Sequence, residues 1–592
     1  MFQWKRPGRF INMAQYEFTK VETMPPLAFS LESTRKIPTG SWRAVRPIYK
    51  NKTSPCETGC PAGEKISNYF DLVRQKKYDE AWQVILEDNP LPGATGRVCY
   101  HPCEAKCNRA SYDEPAAIHS IERFIADKNI HKKHHPAEYV SPKSEKVAVI
   151  GSGPAGLSCA YHLARKGYRV IIYEAEHEPG GMLRYGIPHY RLPKNILKKE
   201  IGDIVNFGVE IRTDSRIGTN VPWSELERFD AVFAAVGSMT SRKIGVGGEN
   251  LKGVLSGLEF LHGLNVGSIP KIGRRVFVIG GGNTAIDTAR SVLRLGRKAT
   301  ILYRRTRNEM PAVPEEIDEA AKEGVKFEFL VAPLKIIGDH GKVSKIELIR
   351  MELGDRDESG RRKPVPVKGS KFAVVADTVI TATGEEPDLS FLPYSFLKKG
   401  VRIFVDDDHS TGVPGIFAGG DAATNPNGTV VDAIRAGKEA ATSIDEFLGW
   451  KSKTNGLSRE IVKFEDLNTF YFPHQERVKV QRITIEKSKA SFAEVNKTLN
   501  DRKALDEADR CFNCGTCMHC DVCMTFCPDV AIHKDESGEY FIDYDHCKGC
   551  GICVNECPRE AMELVPESTP AANSDYIQDS VSARSSIEEV EQ

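Results

Sequence analysis

The chain has 592 residues, 16 of them cysteine, with Lys+Arg and Asp+Glu equal at 81 each. Such a length predicts three or four domains with separate cores. The charge balance argues against a nucleic-acid partner, and the lack of any run near the ~18 apolar residues of a membrane span argues against a membrane protein.

Five cysteines fall between Cys56 and Cys107, ten between Cys511 and Cys557, and Cys159 stands alone. The N-terminus, MFQWKRPGRFINMAQYEF, shows no apolar stretch followed by a small-residue cleavage site. Clustered thiols without a secretory signal predict metal ligation in a reducing, cytoplasmic compartment rather than disulfides.

Residues 1–140 read as an extended start followed by a helical, cysteine-bearing segment, with Asn68–Ile85 apolar at helical spacing. A strand at Val147–Ile150 then leads into Gly151, Gly153 and Gly156, and a helix over Leu157–Lys166 follows. The next strand, Val170–Tyr173, ends in Glu174. Strand, glycines, helix and acid together form a dinucleotide fingerprint: the turn lets pyrophosphate approach a helix N-terminus, and the carboxylate suits a ribose diol.

The same arrangement returns at Gly280, Gly282, Asn283, Thr284 and Ala285, after the strand Val276–Ile279. Its second strand, Ala299–Tyr303, ends in Arg304 and Arg305 instead of an acid. A basic pair at that corner suits a 2′-phosphate and favours NADP(H) over NAD(H). The alternative is an arginine pair that merely coats a surface. Further on, Asp421 ends another strand, and Gly428, Thr429 and Val430 open a helix. The chain therefore returns to the first nucleotide domain, where Asp421 suits a ribityl hydroxyl and the helix N-terminus suits the flavin ring.

Residues 451–510 read as a connector with some helix at 492–508. The segment 511–565 reads as a small cysteine module, and the acidic, Ser-rich tail 566–592 as disordered. Within the module, Cys517, Cys520, Cys523 and Cys527 are followed by Pro528, and Cys547, Cys550, Cys553 and Cys557 by Pro558. Each run has the spacing of a two-cluster bacterial ferredoxin, in which the fourth thiolate crosses to the other cluster. One [4Fe–4S] cluster is thus expected on Cys517, Cys520, Cys523 and Cys557, the other on Cys547, Cys550, Cys553 and Cys527. Zinc needs neither the third step of the run nor the trailing proline.

The stretches Gly180–Pro188, Arg191–Lys194, Gly280–Asp287, Tyr303–Arg305 with Met310–Ala312, Ala376–Gly384 and Ala418–Ala422 resemble the glutamate synthase small-subunit family. The flavin half of dihydropyrimidine dehydrogenase is similar. The resemblance covers roughly residues 50–450 and implies FAD in the first site, with Gly181 beside it, and NADPH in the second. Disulfide reductases of this type keep a redox cysteine pair at the flavin, whereas this α/β stretch has only Cys159. Nicotinamide and isoalloxazine carry the hydride chemistry, so no side chain is named as catalytic.

The resemblance also implies two [4Fe–4S] clusters in an N-terminal helical domain, but the family's CxxC before the position of Cys56 is missing here. Cys511 and Cys514 lie in a stretch that reads like that element, displaced to the front of the ferredoxin run. One cluster is then expected on Cys56, Cys107, Cys511 and Cys514, and another on Cys60, Cys99, Cys103 and Glu122, the residue at the family's non-cysteine position. A zinc site or free thiols, and a single N-terminal cluster with Cys511 and Cys514 spare, stay open.

The expected architecture is α/β. It comprises an N-terminal helical iron–sulfur domain (1–140), an FAD domain (141–274 and 391–450) interrupted by an NAD(P)H domain (275–390), a connector, and an α+β ferredoxin domain. The expected activity runs from NADPH to FAD and through [4Fe–4S] clusters to a partner redox enzyme, glutamate synthase being one candidate partner. Neither an amidotransferase nor an FMN barrel is present, so the chain would be only the electron-input subunit; a homodimer or a larger complex is the expected assembly. The reverse flow, from a reduced ferredoxin or a dissimilatory sulfite reductase to NAD(P)+, and a non-enzymatic redox sensor are the competing possibilities.

Overall fold

The computed structural model describes residues 38–132, 141–357, 360–393, 398–424, 426–450 and 460–568. The expected extended start before residue 38 and most of the expected tail, from 569 onward, lie outside these residues. Among the described residues no helix is long and apolar enough to cross a membrane. The chain divides into two compact units.

The larger unit comprises Lys50–Met518 and Pro558–Ala561. Its first sheet is parallel throughout, in the order Ile416–Ala418, Ala231–Ala234, Lys146–Ile150, Arg169–Tyr173, Glu210–Arg212. Val147–Ile150 are buried on both faces, as a parallel strand between helices must be. The last strand to join, Ile416–Ala418, is the chain's return from the inserted domain.

The inserted sheet is also parallel, ordered Lys326–Phe329, Lys298–Tyr303, Arg275–Ile279, Thr378–Thr381, Val254–Ser256. Val254–Ser256 moves the expected boundary at 274/275: this strand lies beside Thr378–Thr381, so the insertion starts before residue 254. A short strand with no glycine fingerprint gives no local sign of which sheet it joins. An antiparallel sheet of Val331–Asp339, Lys342–Arg356, Arg362–Pro366 and Phe372–Val375 extends the same domain.

The single helical stretch expected at 68–85 is two helices, Ile66–Arg74 and Tyr78–Leu86. Lys76, at φ +61°, adopts the left-handed conformation that ends a helix. The helix expected at 492–508 is shorter, Asp501–Arg510, and starts where the Asn500 side chain accepts the Lys503 N–H at 2.9 Å.

The smaller unit comprises the chain up to Tyr49, His519–Cys557 and the segment from Met562. The boundary expected at 511 therefore shifts, because Cys511–Met518 pack with the larger unit. Lys52 N–H donates to the Gly515 carbonyl at 2.8 Å, and Asn513 Nδ2 donates to that of Ser67 at 2.8 Å. In the smaller unit, Val45–Tyr49 pairs antiparallel with Met562–Pro566, so Pro566 ends a strand instead of starting the tail. This pairing covers a sheet edge that would otherwise expose unpaired backbone groups.

Candidate functional site

The first fingerprint turn needs glycine for reasons visible at each position. Gly151 has φ +98°, and a Cβ there would sit 2.6 Å from the Ala235 carbonyl oxygen. A Cβ on Gly156 would run into the Gly151 carbonyl, so only glycine lets the helix Pro154–Arg165 lie this close to the strand. By contrast, a Cβ on Gly153, the residue capping that helix, would meet nothing within 4 Å. Open room over a helix N-terminus is what a pyrophosphate requires.

Glu174 is buried at the end of its strand, and its carboxylate accepts the N–H of Ser152 at 2.8 Å and that of Glu176 at 2.8 Å. The Ser152 hydroxyl donates to the same carboxylate and accepts the Gly180 N–H at 2.9 Å. Glu174 thus ties the fingerprint to the next loop, where a Cβ on Gly181 would lie 2.8 Å from Gly153 Cα. Lys194 pins that loop from below: its Nζ donates to the carbonyls of Leu183 (2.9 Å) and Ile187 (2.5 Å). Burial lowers the pKa of this amine to about 7.

Burial also pushes the Asp421 carboxyl up, while Arg402 pulls it down. Thr429 caps the helix Val430–Phe447 by accepting the Asp432 N–H at 3.2 Å, so the positive helix end faces the same space.

The second fingerprint repeats the device. Gly280 has φ +149°, Gly282 is open above the helix Asn283–Arg294, and Ala285 is buried in the core below. A Cβ on Gly281 would strike the Tyr303 ring. The Asn283 side-chain Oδ1 accepts the Val313 N–H at 3.0 Å, and Thr284 Oγ1 donates to Glu385 at 3.2 Å.

One cavity of about 590 Å³ joins the two sites. Gly151, Gly153, Glu174, Gly181, Asp421, Thr429 and Val430 line it from the first fingerprint's domain, and Gly282, Asn283 and Thr284 from the second. Cys99 and Tyr100 form a further wall. Arg304 and Arg305 do not line it, and they part company: Arg304 is exposed, whereas Arg305 is buried. Arg305 Nε donates to the Arg362 carbonyl at 2.7 Å, and its Nη2 is paired with Asp357. Only one of the expected pair is therefore available to a phosphate; the antiparallel extension of the sheet has claimed the other.

Cys99 is delivered by the helix Pro92–Val98. This helix crosses Ile118–Asn129 so closely that a Cβ on Gly96 would lie 2.6 Å from the Arg123 nitrogen. Its first turn is held by Glu200, which accepts the N–H groups of Gly93 and Ala94. Burial raises the Glu200 carboxyl to about 8. Beyond Cys99, Glu104 accepts His119 Nδ1 at 2.8 Å and is paired with Arg477, while the rings of His101 and His119 stack at 3.8 Å. The Cys99–Cys103 turn is thus clamped on its outer side.

The N-terminal thiols fall into two groups. Burial pushes the Cys56 thiol up, and the nearby Cys107, Cys511 and Cys514 add to that effect. Burial likewise raises Cys511 to about 12, with Cys107 a neighbour, and Asn108 Nδ2 contacts Cys514 Sγ at 3.5 Å. In the second group Cys60, Cys99 and Cys103 are mutual neighbours. Cys56 and Cys60, like Cys103 and Cys107, are four residues apart; Cys56 and Cys103 lie in the helices Pro55–Gly59 and Pro102–Ala105, Cys60 and Cys107 lie beyond the ends of those helices, and each pair contributes one thiol to each group.

Glu122 is buried beside the second group, where it affects Cys60 and Cys99. Glu64, which the sequence did not single out, is buried there too and is the charged neighbour with the largest effect on Cys60. Asn89 Nδ2 bridges the carboxylates, at 2.8 Å from Glu64 and 3.1 Å from Glu122. Burial pushes both carboxyls up, Glu64 to about 7. The position of Glu64, four residues after Cys60, was the available signal.

In the smaller unit Cys523 has Cys557 and Cys520 as neighbours, and Cys547 has Cys527 and Cys550. Cys557 thus sits beside Cys520 and Cys523 of the first run, and Cys527 beside Cys547, Cys550 and Cys553 of the second. Cys517 falls in the larger unit, just before the division. Cys159 is fully buried in the helix Pro154–Arg165, with its pKa pushed up by burial alone.

Residues 145–439 match the pyridine nucleotide-disulphide oxidoreductase family, residues 42–134 the dihydropyrimidine dehydrogenase domain II 4Fe-4S cluster family, and residues 540–563 a 4Fe-4S binding domain. The NADP(+)-dependent formate dehydrogenase subunit beta of Moorella thermoacetica is 38% identical over 78% of this chain and 70% of its own length. The NADPH-Fe(3+) oxidoreductase subunit beta of Geobacter sulfurreducens is 38% identical over 78% of this chain and 75% of its own. The glutamate synthase [NADPH] small chain of Escherichia coli is 35% identical over 66% of this chain and 88% of its own.

Proposed function

Since the chain belongs to the glutamate synthase small-chain-like family of NADPH oxidoreductases, we propose that it takes electrons from NADPH and passes them to a partner redox enzyme. It is an FAD- and iron–sulfur-dependent NAD(P)H oxidoreductase. The observation that supports an order of nicotinamide, flavin and cluster within the chain is the shared cavity, which both fingerprints enter and which Cys99 walls. FAD and NADPH bound there would supply hydride transfer, and [4Fe–4S] clusters on the cysteine groups would supply one-electron transfer.

In this proposal the protein contributes position and charge. The helix N-termini above Gly153 and Gly282 receive the two pyrophosphates, Glu174 fixes the first turn, and Arg304 receives the 2′-phosphate. Cys60, Cys99 and Cys103 hold the cluster nearest the flavin, completed by Glu122 or by Glu64. Cys56, Cys107, Cys511 and Cys514 hold the next, and the ferredoxin runs hold the last two. The burial of Cys56, Cys60, Cys103 and Cys514 suits this role, since a buried thiol gives up its proton only to a metal or a strong charge.

Metal analysis tests the assignment. Four cubanes with one FAD require about 16 irons per chain. Replacing Cys511 and Cys514 together by Ser is expected to remove about four of them and to slow reduction of an artificial acceptor, while NADPH still bleaches the flavin at the wild-type rate. Unchanged iron in that variant overturns the shared cluster. Failure of NADPH to bleach the flavin of the intact protein overturns the function.

A further inference from the structure

Tyr49 ends the strand Val45–Tyr49, opposite Met562 in the antiparallel pair. Its ring stacks on Tyr540 at 5.8 Å with 11° between the planes. Tyr540 is itself fixed, since its hydroxyl donates to Asp521 and accepts the Asp521 N–H at 2.8 Å. Held in this way, the Tyr49 hydroxyl lies 3.2 Å from Cys523 Sγ. A sulfur that ligates iron carries no proton, so in the cluster-bearing protein the hydroxyl is the donor.

The two ferredoxin runs are copies 30 residues apart, and Cys553 occupies the position of Cys523 in the second. Among the described residues no side chain makes a hydrogen bond to Cys553 Sγ, whereas Tyr49 makes one to Cys523 Sγ. The tyrosine contact is therefore an asymmetry imposed on a repeated motif by a strand from the other end of the chain.

We infer that Tyr49 sets the two ferredoxin clusters apart in reduction potential, raising that of the cluster ligated by Cys523. Reduction adds one electron, supplied by NADPH through the flavin, and increases the negative charge on the ligating sulfurs. A donor hydrogen bond stabilises that added charge more than it stabilises the oxidised cluster, and the proton stays on the tyrosine oxygen. The cluster beside Tyr49 is then the better acceptor of the two, and electrons collect on it before leaving. Tyr49 acts through Cys523 and is a positioning residue, not a catalytic one. The inference rests on the proposed ligation of that cluster by Cys523.

The test is an anaerobic redox titration of the full, cluster-loaded chain followed by electron paramagnetic resonance, comparing wild type with Tyr49→Phe. A hydrogen bond to a charged group is strong enough that its loss should lower the reduced-to-oxidised ratio of one cluster about tenfold at the wild-type midpoint. The other ferredoxin cluster should keep its midpoint, and NADPH should reduce the flavin as before. Equal midpoints in the variant and wild type, or equal shifts of both clusters, overturn the inference. Should Tyr49→Phe lose iron, a fluorotyrosine at position 49 keeps the ring and strengthens the donor; the same midpoint must then rise, and a fixed midpoint overturns the inference. Iron content separates the two failures, because a wild-type smaller unit without its clusters overturns the ligation itself.

Discussion

The two glycine-rich turns use the same backbone device and spend their charged corner differently. At the first, Glu174 turns back onto its own fingerprint and holds Ser152. At the second, Arg305 turns away, to Asp357 and the Arg362 carbonyl, and leaves Arg304 exposed. A strand-to-helix turn thus dictates where glycines go, because the clash is local. What the corner residue does depends on which distant strand reaches it first.

Breaking the second turn should have the largest effect. The Tyr303 ring that a side chain at 281 would meet is buried, and its hydroxyl donates to the Glu309 carbonyl at 2.6 Å, so it has no room to yield. Gly281→Val is expected to slow NADPH-driven flavin bleaching on the order of a hundredfold or more, as overpacking strain of a few kcal/mol implies. FAD content and photoreduction should stay normal, because the first turn is untouched. Stopped-flow absorbance measures both.

The corner itself can be divided next. Arg304→Ala should raise the KM for NADPH about tenfold, the low end for a charge-assisted contact at an exposed position, and leave that for NADH unchanged. Equal effects on both nucleotides would assign Arg304 to the surface. The smallest effect on activity belongs to Arg305→Ala, which should preserve the NADPH-to-NADH ratio. It should instead lower the melting temperature by a few degrees, since the Arg362 carbonyl and Asp357 lose a buried partner. A changed nucleotide ratio in that variant would return Arg305 to the phosphate site.

The contrast also explains what could be seen in the sequence. Both fingerprints and the ferredoxin runs were legible because a few consecutive residues carry the whole geometry: turn, helix end, or thiol spacing. The interrupted first domain was legible from Asp421 and Gly428. The sheet membership of Val254–Ser256, the capture of Arg305, and the Tyr49–Cys523 contact were not, because each depends on chain hundreds or scores of residues away. Glu64 was hidden for a different reason: an acid after Cys60 looks like any solvated residue until burial beside Asn89 and Glu122 is known. The division of Cys56 and Cys60 between two thiol groups was expected from the resemblance and not from spacing, because residues four apart on a helix share a face; the fold separates them by ending the helix Pro55–Gly59 before Cys60.

Grouping Cys56 and Cys107 with Cys511 and Cys514 also imposes a timetable on synthesis. The second pair leaves the ribosome some 400 residues after the first, which at ~5–20 residues per second is a delay of roughly 20–80 s. During that interval, under the proposed ligation, the helical region offers Cys56 and Cys107 but not the other two thiols of its cubane. Under the proposed ligation, assembly of this cluster must wait until most of the chain has been made, and a chain truncated anywhere before Cys511 would lack two of its four ligands.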